Sequence, residues 1–276
     1  MKRTKTLFVS DLDETLLRSD ETLSPFTVNT VNGLIERGMK FSFATARSLK
    51  TASDVTRGLA GNLPAIVYNG TFIRERGTGE LLLSNEFPKA ESDEILSVLL
   101  DCGLSPFVRS IVDGEEKIAY LGDRITPLMQ KYLDRRPGDP RMSPKFCPQE
   151  LFVGGVFTLC CMDADEPLRR AYELLRGRHQ CLHFIDPYTG GPWLEILTRG
   201  ASKANAALAL KEMLGCERLV CFGNGLNDIS MFRVADECYA VGNAVQELKD
   251  VATAVIGRND EDGVARALLS LWERME

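Results

Sequence analysis

Two aspartates lie two positions apart at the end of an apolar run near the start of the chain. Residues 8–17 read FVSDLDETLL, so Asp11 and Asp13 directly follow a segment typical of a buried strand. An acid after a strand can simply cap the next helix, and for one aspartate alone this alternative is about as good as a functional one. Two carboxylates so close together at a strand end are less easily explained as a cap.

Polar groups also follow, or stand beside, three other predicted strand ends. Thr45 and Arg47 come after the strand MKFSFAT, Lys203 opens a helix late in the chain, and GNGLND, residues 223–228, follows the strand RLVCF. Each has a structural alternative: Thr45 as a cap, Lys203 as a solvated lysine, and GNGLND as a turn. Because sites in open parallel sheets lie beyond the carboxyl ends of the strands, we expect the four groups to meet in one crevice.

Together these residue types suit phosphoryl transfer. A carboxylate can attack phosphorus and form an aspartyl-phosphate, and a second carboxylic acid can protonate the leaving oxygen and later deprotonate water. A lysine and a hydroxyl can offset the charge on the transferring oxygens, and Mg²⁺ takes the oxygen ligands that such a site offers. We therefore expect Asp11 to attack the phosphorus and Asp13 to act as the general acid and then as the general base. This role requires Asp13 to be protonated at the first step.

The elements that must position these residues alternate between strand and helix in the first third of the chain. TLFVS, MKFSFAT and PAIVYNG read as strands with helical patterns between them. From about residue 87 to 188 the patterns are mixed, and after Arg199 the alternation returns. This predicts an α/β fold: a Rossmann-like parallel sheet core built from residues 1–84 and 191–276, with an α+β domain inserted at 85–190.

The composition is that of an ordinary globular chain. Its 276 residues are 44% hydrophobic and 26% charged, with a formal net charge of −6. No basic run is present, so we expect neither nucleic acid nor a membrane as a partner. There is no CxxC pair, acids arrive before a signal-peptide region can form, and the longest apolar stretch, residues 152–162, falls short of the ~20 residues of a membrane span. We expect a cytoplasmic monomer or homodimer with free thiols.

Four motifs in this order resemble those of the haloacid dehalogenase-like (HAD) phosphatases. DLDET matches the DxDxT motif, Thr45 in FATARS is similar to the second motif, Lys203 in RGASKANAAL to the third, and GNGLND to the fourth, usually written GDxxND. YNG at residues 68–70 and WLEIL before the lysine are similar to the Cof-like subfamily, which carries a large α+β (C2-type) cap. The resemblance covers the whole chain.

The resemblance implies roles for ten residues. Asp11 is implied as nucleophile and Asp13 as general acid/base, with Thr45 and Lys203 holding the phosphoryl group. The implied Mg²⁺ ligands are Asp11, the Asp13 backbone carbonyl, Asn224 and Asp228. The residues implied near the substrate are Arg47, Asn69, Gly70 and Asn227. For Asn69–Gly70 a hairpin turn is an equally good alternative.

Two positions depart from the family pattern. Ala46 replaces the usual glycine of the second motif, which costs little if the backbone φ there is negative. Asn224 replaces the first aspartate of the fourth motif, the usual direct metal ligand. An amide oxygen can bind Mg²⁺ but brings no charge, so we expect weaker metal binding.

Three hypotheses for the function follow. The first is a Mg²⁺-dependent phosphatase for a small organic phosphate, such as a sugar phosphate or a phosphorylated cofactor precursor. The second is a non-catalytic relative that binds a phosphorylated ligand and regulates. The third, a signalling receiver, fits poorly because a receiver is much shorter. We expect the inserted domain to select the substrate, with Arg109, Tyr120, Tyr188 and Trp193 as candidates, although lone aromatics and arginines are more often packing or surface residues.

Overall fold

The chain folds into two compact units. The computed structural model describes residues 5–60, 64–186 and 189–275. The core unit comprises Met1–Ser84 and Gly200–Glu276, and the inserted unit is Asn85–Arg199. The sequence placed residues 191–199 in the core, and this boundary is wrong, because the strand Pro192–Leu197 pairs inside the sheet of the inserted unit.

The first part of the core unit alternates strands and helices before it ends in short hairpins. In the run SPFTVNTVNGLIERG, residues 24–38, Ser24 is a typical N-cap and Pro25 suits the first helical position. The first helix does begin there, since the Ser24 hydroxyl accepts a hydrogen bond from the Thr27 amide at 3.0 Å. The elements are β1 (Thr6–Ser10), α1 (Pro25–Glu36), β2 (Lys40–Phe43), α2 (Leu49–Val55), β3 (Ala65–Val67), β4 (Phe72–Arg74) and β5 (Leu81–Ser84).

The inserted unit is a six-stranded sheet with helices on both faces. Its elements are α3 (Lys89–Asp101), β6 (Phe107–Val112), β7 (Glu115–Leu121), α4 (Pro127–Asp134), β8 (Met142–Lys145), β9 (Gly155–Met162), α5 (Asp165–Leu175), β10 (Gln180–Ile185) and β11 (Pro192–Leu197). The strand order is β10-β11-β9-β6-β7-β8, antiparallel except for β7–β8. Apolar residues of α3 and α5 lie in one core cluster, and Met129 and Tyr132 of α4 lie in a second with Trp193.

The last part of the chain returns to the core unit and completes its sheet. Its elements are α6 (Lys203–Met213), β12 (Arg218–Gly223), α7 (Ile229–Phe232), β13 (Glu237–Ala240), α8 (Gln246–Lys249), β14 (Ala254–Val255) and α9 (Gly263–Arg274). The order β14-β13-β12-β1-β2 is parallel throughout, and β1 is buried along its whole length. The predicted α/β fold with an inserted α+β unit is therefore confirmed.

Two local predictions are wrong. The run PAIVYNG was predicted as a third strand of the parallel sheet, but β3 pairs antiparallel with β4, in the small sheet β3-β4-β5. It meets the end of β2 at a parallel bridge between Ala44 and Ile66. The second concerns the proline-rich segment PGDPRMSPKFCP, residues 137–148, whose composition predicts a loop. It contains β8, which pairs with β7. None of the helices within the described ranges is long and apolar enough to cross a membrane.

Candidate active site

Strand β1 delivers Asp11 to the carboxyl edge of the parallel sheet. The Asp11 amide donates a hydrogen bond of 2.9 Å to the Phe222 carbonyl near the end of β12, which continues the β1–β12 ladder by one residue. The chain then turns sharply through Leu12–Leu16, with Glu14 at a φ of 54°. This turn brings the Thr15 hydroxyl back to Asp11, where it donates to Oδ2 at 3.0 Å.

Lys203 connects Asp11 to the second acidic loop, which is the GNGLND segment after β12, residues 223–228. Ser202 caps α6 by accepting a hydrogen bond from the Asn205 amide, which makes Lys203 the first residue of the helix. Its Nζ lies 2.5 Å from Asp11 Oδ1 and 2.7 Å from Asp228 Oδ1. The side chain is only 1% exposed, so the alternative of a solvated helix lysine is excluded.

The loop after β12 is folded around the Asp228 carboxylate. Asp228 Oδ2 accepts hydrogen bonds of 3.0 Å from the backbone amides of Asn224 and Gly225. Gly223 permits this close packing, because a Cβ at that position would lie 2.6 Å from Asp228 Oδ2. The GNGLND segment therefore does form a turn, which was the structural alternative for it, and Asp228, which closes the turn, also pairs with Lys203.

Burial dominates the electrostatics of this cluster. Removal from solvent raises the pKa of Asp11 to about 7; Lys203 opposes that rise, and the charges of Asp228 and Asp13 add to it. For Lys203, burial works against the charged form, but Asp11 and Asp228 together raise the pKa of the ammonium. The cluster thus holds a lasting positive charge beside a carboxylate that ionises less readily than usual.

Asp13 takes part in a separate ion pair at the edge of this cluster. The Arg47 guanidinium donates to it through Nε at 3.0 Å and through Nη2 at 2.5 Å, and a further bond of 2.8 Å joins Arg47 Nη2 to Glu21. These hydrogen bonds raise the pKa of Arg47. The Asp13 side chain remains 46% exposed. Its charge is matched by Arg47 in this conformation, whereas the role of acid at the first step calls for the protonated form.

Thr45 lies fully buried where β2 ends beside β1. The register opposes Phe43 to Ser10, so Thr45 and Asp11 leave the sheet at the same edge. The Thr45 hydroxyl accepts a bond of 3.1 Å from the Arg47 amide, a local turn contact that leaves its own O–H proton available to donate. The backbone at Ala46 does not have a positive φ, so alanine costs no backbone strain there.

Asn69 and Gly70 lie in the connection between β3 and β4, as the hairpin alternative predicts. The Asn69 side chain also accepts a hydrogen bond of 3.2 Å from Asn227 Nδ2 in the second acidic loop. Gly70 has a φ of 95°, and a Cβ there would lie 2.1 Å from the Ser202 carbonyl. The structure therefore gives Gly70 a packing role beside the start of α6.

Oxygen atoms suited to a hard cation are present in the cluster. The carboxylates of Asp11 and Asp228 both contact Lys203. The Asp13 backbone carbonyl and the Asn224 side chain belong to the turns that follow β1 and β12. No group of three or more His, Cys, Asp or Glu side chains is arranged to hold a metal within the described part of the chain. A cation at this position would therefore depend on two carboxylates and on neutral oxygens. This donor set fits a hard divalent ion, because among the described residues the buried pair Asp11 and Asp228 has a single cation contact, Lys203.

The sequence interpretation missed two contacts. Thr15 is the last residue of the DLDET motif, and no role was predicted for it, although its hydroxyl donates a hydrogen bond to Asp11. Glu21, which binds Arg47, lies in a loop with a φ of 63° and carries no motif that could have identified it. Hydrogen bonds and packing otherwise bring all ten predicted residues into neighbouring contacts around the ends of β1, β2 and β12.

The four specificity candidates of the inserted unit have different surroundings. Arg109 and Trp193 line one cavity. Tyr120 packs against Phe107, with ring centroids 5.4 Å apart. Tyr188 lies outside the described residues.

Comparison with known proteins gives consistent matches over nearly the whole chain. The family model described as haloacid dehalogenase-like hydrolase matches residues 8–268. The 5-amino-6-(5-phospho-D-ribitylamino)uracil phosphatase YwtE of Bacillus subtilis is 29% identical over 92% of this chain and 94% of its own. The HMP-PP phosphatase of Escherichia coli O8 is 28% identical over 87% of this chain and 85% of its own.

A solved structure agrees with the fold. The crystal structure of a haloacid dehalogenase-like hydrolase from Bacteroides thetaiotaomicron matches with a TM-score of 0.75 at 24% identity, covering 96% of this chain and 99% of that one. At this identity the match supports the fold alone.

Proposed function

Because the chain belongs to the haloacid dehalogenase-like hydrolases, we propose that it hydrolyses the phosphate monoester of a small metabolite through an aspartyl-phosphate on Asp11. The observation that carries this proposal is the buried ammonium of Lys203, which lies between Asp11 and Asp228 at the end of β1. A buried lysine that joins two carboxylates favours the ionised form of the nucleophile against the effect of burial, and it supplies a cation for phosphoryl oxygens.

The coarser part of this proposal rests on the family. The prediction of a phosphoric monoester hydrolase is confirmed by the family match and by the relatives named as phosphatases. Those relatives act on small phosphorylated compounds by their names, one of them a ribitylamino-uracil phosphate. We infer that this chain too takes a small organic phosphate, a sugar phosphate or a phosphorylated cofactor precursor, in the cytoplasm.

The proposed reaction has two steps on this set of residues. First, an Asp11 carboxylate oxygen attacks phosphorus, the bond from phosphorus to the ester oxygen breaks, and the leaving oxygen takes a proton from Asp13. Lys203 and the Thr45 O–H bind the transferring oxygens as their charge shifts. Second, water attacks the phosphorus of the aspartyl-phosphate and gives a proton to Asp13. The bond from phosphorus to the Asp11 oxygen breaks, so phosphate is released and the Asp11 carboxylate is regenerated.

Arg47 has to change partner during this cycle. Without substrate it neutralises Asp13, which suits Asp13 as the base of the second step but not as the acid of the first. A phosphate dianion offers Arg47 a stronger bidentate partner than a half-exposed carboxylate. We infer that substrate binding draws Arg47 away from Asp13, so that this side chain can turn to the leaving oxygen in the first step.

A magnesium ion fits the oxygen donors of the site. We propose that the Asp11 carboxylate, the Asp13 backbone carbonyl and the Asn224 side-chain oxygen hold it. The Asp228 carboxylate completes the proposed donor set and adds a second negative charge. Its oxygens also accept bonds from Lys203 and two backbone amides, as those of Asp11 do from Lys203 and Thr15. Bound there, the cation would offset the negative charge of the phosphoryl group.

Replacing Asn224 by aspartate tests the metal assignment. A carboxylate restores the charge that the amide lacks, so we expect Asn224→Asp to lower the Mg²⁺ concentration that gives half-maximal activity. The maximal rate need not rise, because an added charge beside Asp11 also repels an anionic substrate. The measurement is a Mg²⁺ titration of activity for both proteins, with Asn205→Asp, on exposed α6 surface, as the control. Identical titrations for wild type and Asn224→Asp contradict the assignment.

The second candidate is a non-catalytic relative that binds a phosphorylated ligand, and it is favoured by the amide at Asn224. Assay of the purified protein against a panel of phosphorylated metabolites at high Mg²⁺ separates the two. We expect release of phosphate from at least one small monoester. No turnover of any ester, together with saturable binding of one of them, would establish the non-catalytic function instead.

A further inference from the structure

Glu21 is a carboxylate beside the candidate active site that has no part in the proposed reaction. Its Oε2 accepts a hydrogen bond of 2.8 Å from Arg47 Nη2, the nitrogen that also donates to Asp13 at 2.5 Å. Two carboxylates therefore share one guanidinium. Because the three groups carry one positive and two negative charges, Arg47 presents little net positive charge to an anion in this conformation.

The turn that carries Glu21 is held by hydrogen bonds on two sides. Its backbone closes through two bonds of 2.9 Å, from the Arg18 amide to the Thr22 carbonyl and from the Glu21 amide to the Arg18 carbonyl. Ser19 donates through its amide and its hydroxyl to the Asp260 carboxylate, at 2.9 and 2.8 Å. These contacts fix the position from which the Glu21 side chain leaves the turn.

The backbone at Glu21 has a conformation that glutamate does not favour. Its φ is 63°, in the left-handed region where glycine and asparagine are the usual residues, and a longer side chain there costs conformational free energy. The hydrogen bonds of the turn come from its backbone and from neighbouring side chains, so they would hold a glycine equally well. What glutamate adds at this position is a carboxylate at Arg47.

The movement inferred for Arg47 has to come from its side chain. Its backbone is tied on both sides, because the amide donates to the Thr45 hydroxyl at 3.1 Å and the carbonyl accepts a bond of 3.0 Å from the Tyr68 amide. The Arg47 side chain is 19% exposed and that of Glu21 is 59% exposed. Glu21 is thus an accessible second partner that stays within reach when the guanidinium leaves Asp13.

We propose that Glu21 competes with phosphate for Arg47 and thereby favours release of the product, inorganic phosphate. The proposal rests on the function proposed above, in which Arg47 leaves Asp13 for a phosphate dianion. A carboxylate within hydrogen-bond distance stabilises the guanidinium before phosphate binds, and phosphate has to displace part of that interaction. Glu21 is therefore a positioning residue, which acts on phosphate through Arg47.

Calorimetric titration of the full-length protein with inorganic phosphate, in the presence of Mg²⁺, tests the proposal. We expect Glu21→Gln to lower the Kd for phosphate roughly two- to fivefold, which is the range that a partly exposed ion pair contributes. Glu36→Gln, the same change on the exposed surface of α1, should leave the Kd at the wild-type value. A Kd that is unchanged or higher in Glu21→Gln overturns the proposal.

A double-mutant cycle separates competition for Arg47 from a general effect of charge. Arg47→Met removes the guanidinium, so Glu21→Gln should no longer change the Kd when it is combined with Arg47→Met. If Glu21→Gln tightens phosphate binding equally in both backgrounds, the carboxylate acts directly on the anion, and the role at Arg47 is refuted.

The single variant Arg47→Met distinguishes failure of this proposal from failure of the proposed function. We expect it to raise the Kd for phosphate several-fold, because it removes a ligand of the anion. If it does not, Arg47 holds no phosphate, and that part of the proposed function fails together with this inference. If it does, and Glu21→Gln has no effect, the inference about Glu21 alone fails.

A glycine at this position excludes a purely structural role for the glutamate. Glu21→Gly removes the carboxylate and suits the left-handed backbone, so we expect it to tighten phosphate binding as Glu21→Gln does. Its urea midpoint should lie at or above that of wild type. A lower midpoint with an unchanged Kd would mean that Glu21 serves only the fold of its turn, which would contradict the proposal.

Discussion

The Asp13–Arg47 ion pair makes the proton role of Asp13 testable at the scale of one residue. We expect Asp13→Asn to slow hydrolysis of alkyl phosphates by roughly 10²–10⁴-fold, the usual contribution of general acid–base catalysis. Nitrophenyl phosphate should lose much less in the first step, because its leaving group needs no proton. Steady-state and burst kinetics with both esters measure the difference, and Asp20→Asn, an exposed carboxylate nearby, serves as the control. An equal loss in phosphorylation rate for both esters contradicts the role.

Asp11 gives the stability of the metal-free protein a defined pH dependence. Burial raises its pKa from 3.8 to about 7, so the folded state binds the proton more tightly than the unfolded state does. The stability gained from this group is therefore fully present below about 3.8 and is lost as the pH rises through about 7. Urea unfolding in the presence of a chelator should show this decline in wild type.

Two comparisons make the pH prediction specific to Asp11. The decline should be smaller in Asp11→Asn, whose amide does not titrate, and Asp20→Asn should retain it. Added Mg²⁺ should shift it to lower pH, because a bound cation favours the carboxylate. A wild-type profile that superimposes on that of Asp11→Asn across this range would refute the assignment.

Some residue-level features of the site could not be predicted from the sequence. The motif order identified Asp11, Lys203 and Asp228 because the ends of parallel strands meet at one edge, and the structure brings these three side chains into contact. The partner of Arg47 could not be predicted in the same way. Its guanidinium reaches Asp13 and Glu21 across a loop whose backbone conformation is not encoded by any periodic pattern.

At the scale of elements, the turn from β12 into α7 depends on the absence of a side chain at Gly223. A methyl group there would overlap the Asp228 carboxylate, which cannot move without losing Lys203 and two amide hydrogen bonds. We expect Gly223→Ala to destabilise the protein by about 1–3 kcal/mol and to remove most activity. Urea unfolding and kcat/KM measure both effects.

Gly33 provides the matched control for this substitution. It lies within α1, and no atom lies within 4 Å of a Cβ built there. Gly33→Ala should be neutral or should stabilise the protein by up to about 1 kcal/mol, because alanine has a higher helix propensity than glycine. If Gly223→Ala behaves like Gly33→Ala, the loop does not depend on the close packing described here.

Element prediction succeeded where periodicity and capping agree and failed where pairing is non-local. Helix α1 is marked by Ser24, Pro25 and an apolar face, all readable along the chain. Strands β3 and β11 are also recognisable as strands, but the sheet that each one joins is decided by distant partners. That is why β3 was assigned to the parallel sheet and β11 to the core unit, when β4 and β9 are their actual neighbours.

At the scale of the whole molecule, one chain forms two compact units. The core unit holds all the residues proposed for phosphoryl transfer, and the inserted unit holds a separate cavity lined by Arg109, Tyr132 and Trp193. The change of pattern after residue 84 separated these units from sequence alone. The common surroundings of Arg109 and Trp193 could not be predicted, because only the pairing of distant strands brings these two residues to one cavity.

Trapping the covalent intermediate tests the central claim most directly. Asp13→Asn retains the nucleophile but lacks the base of the second step, so nitrophenyl phosphate should phosphorylate it faster than water can release the phosphate. Acid quenching followed by peptide mass spectrometry should then locate phosphate on Asp11, and the double variant Asp11→Asn/Asp13→Asn should carry none. Phosphate on another residue, or undiminished turnover by Asp11→Asn alone, would contradict the account.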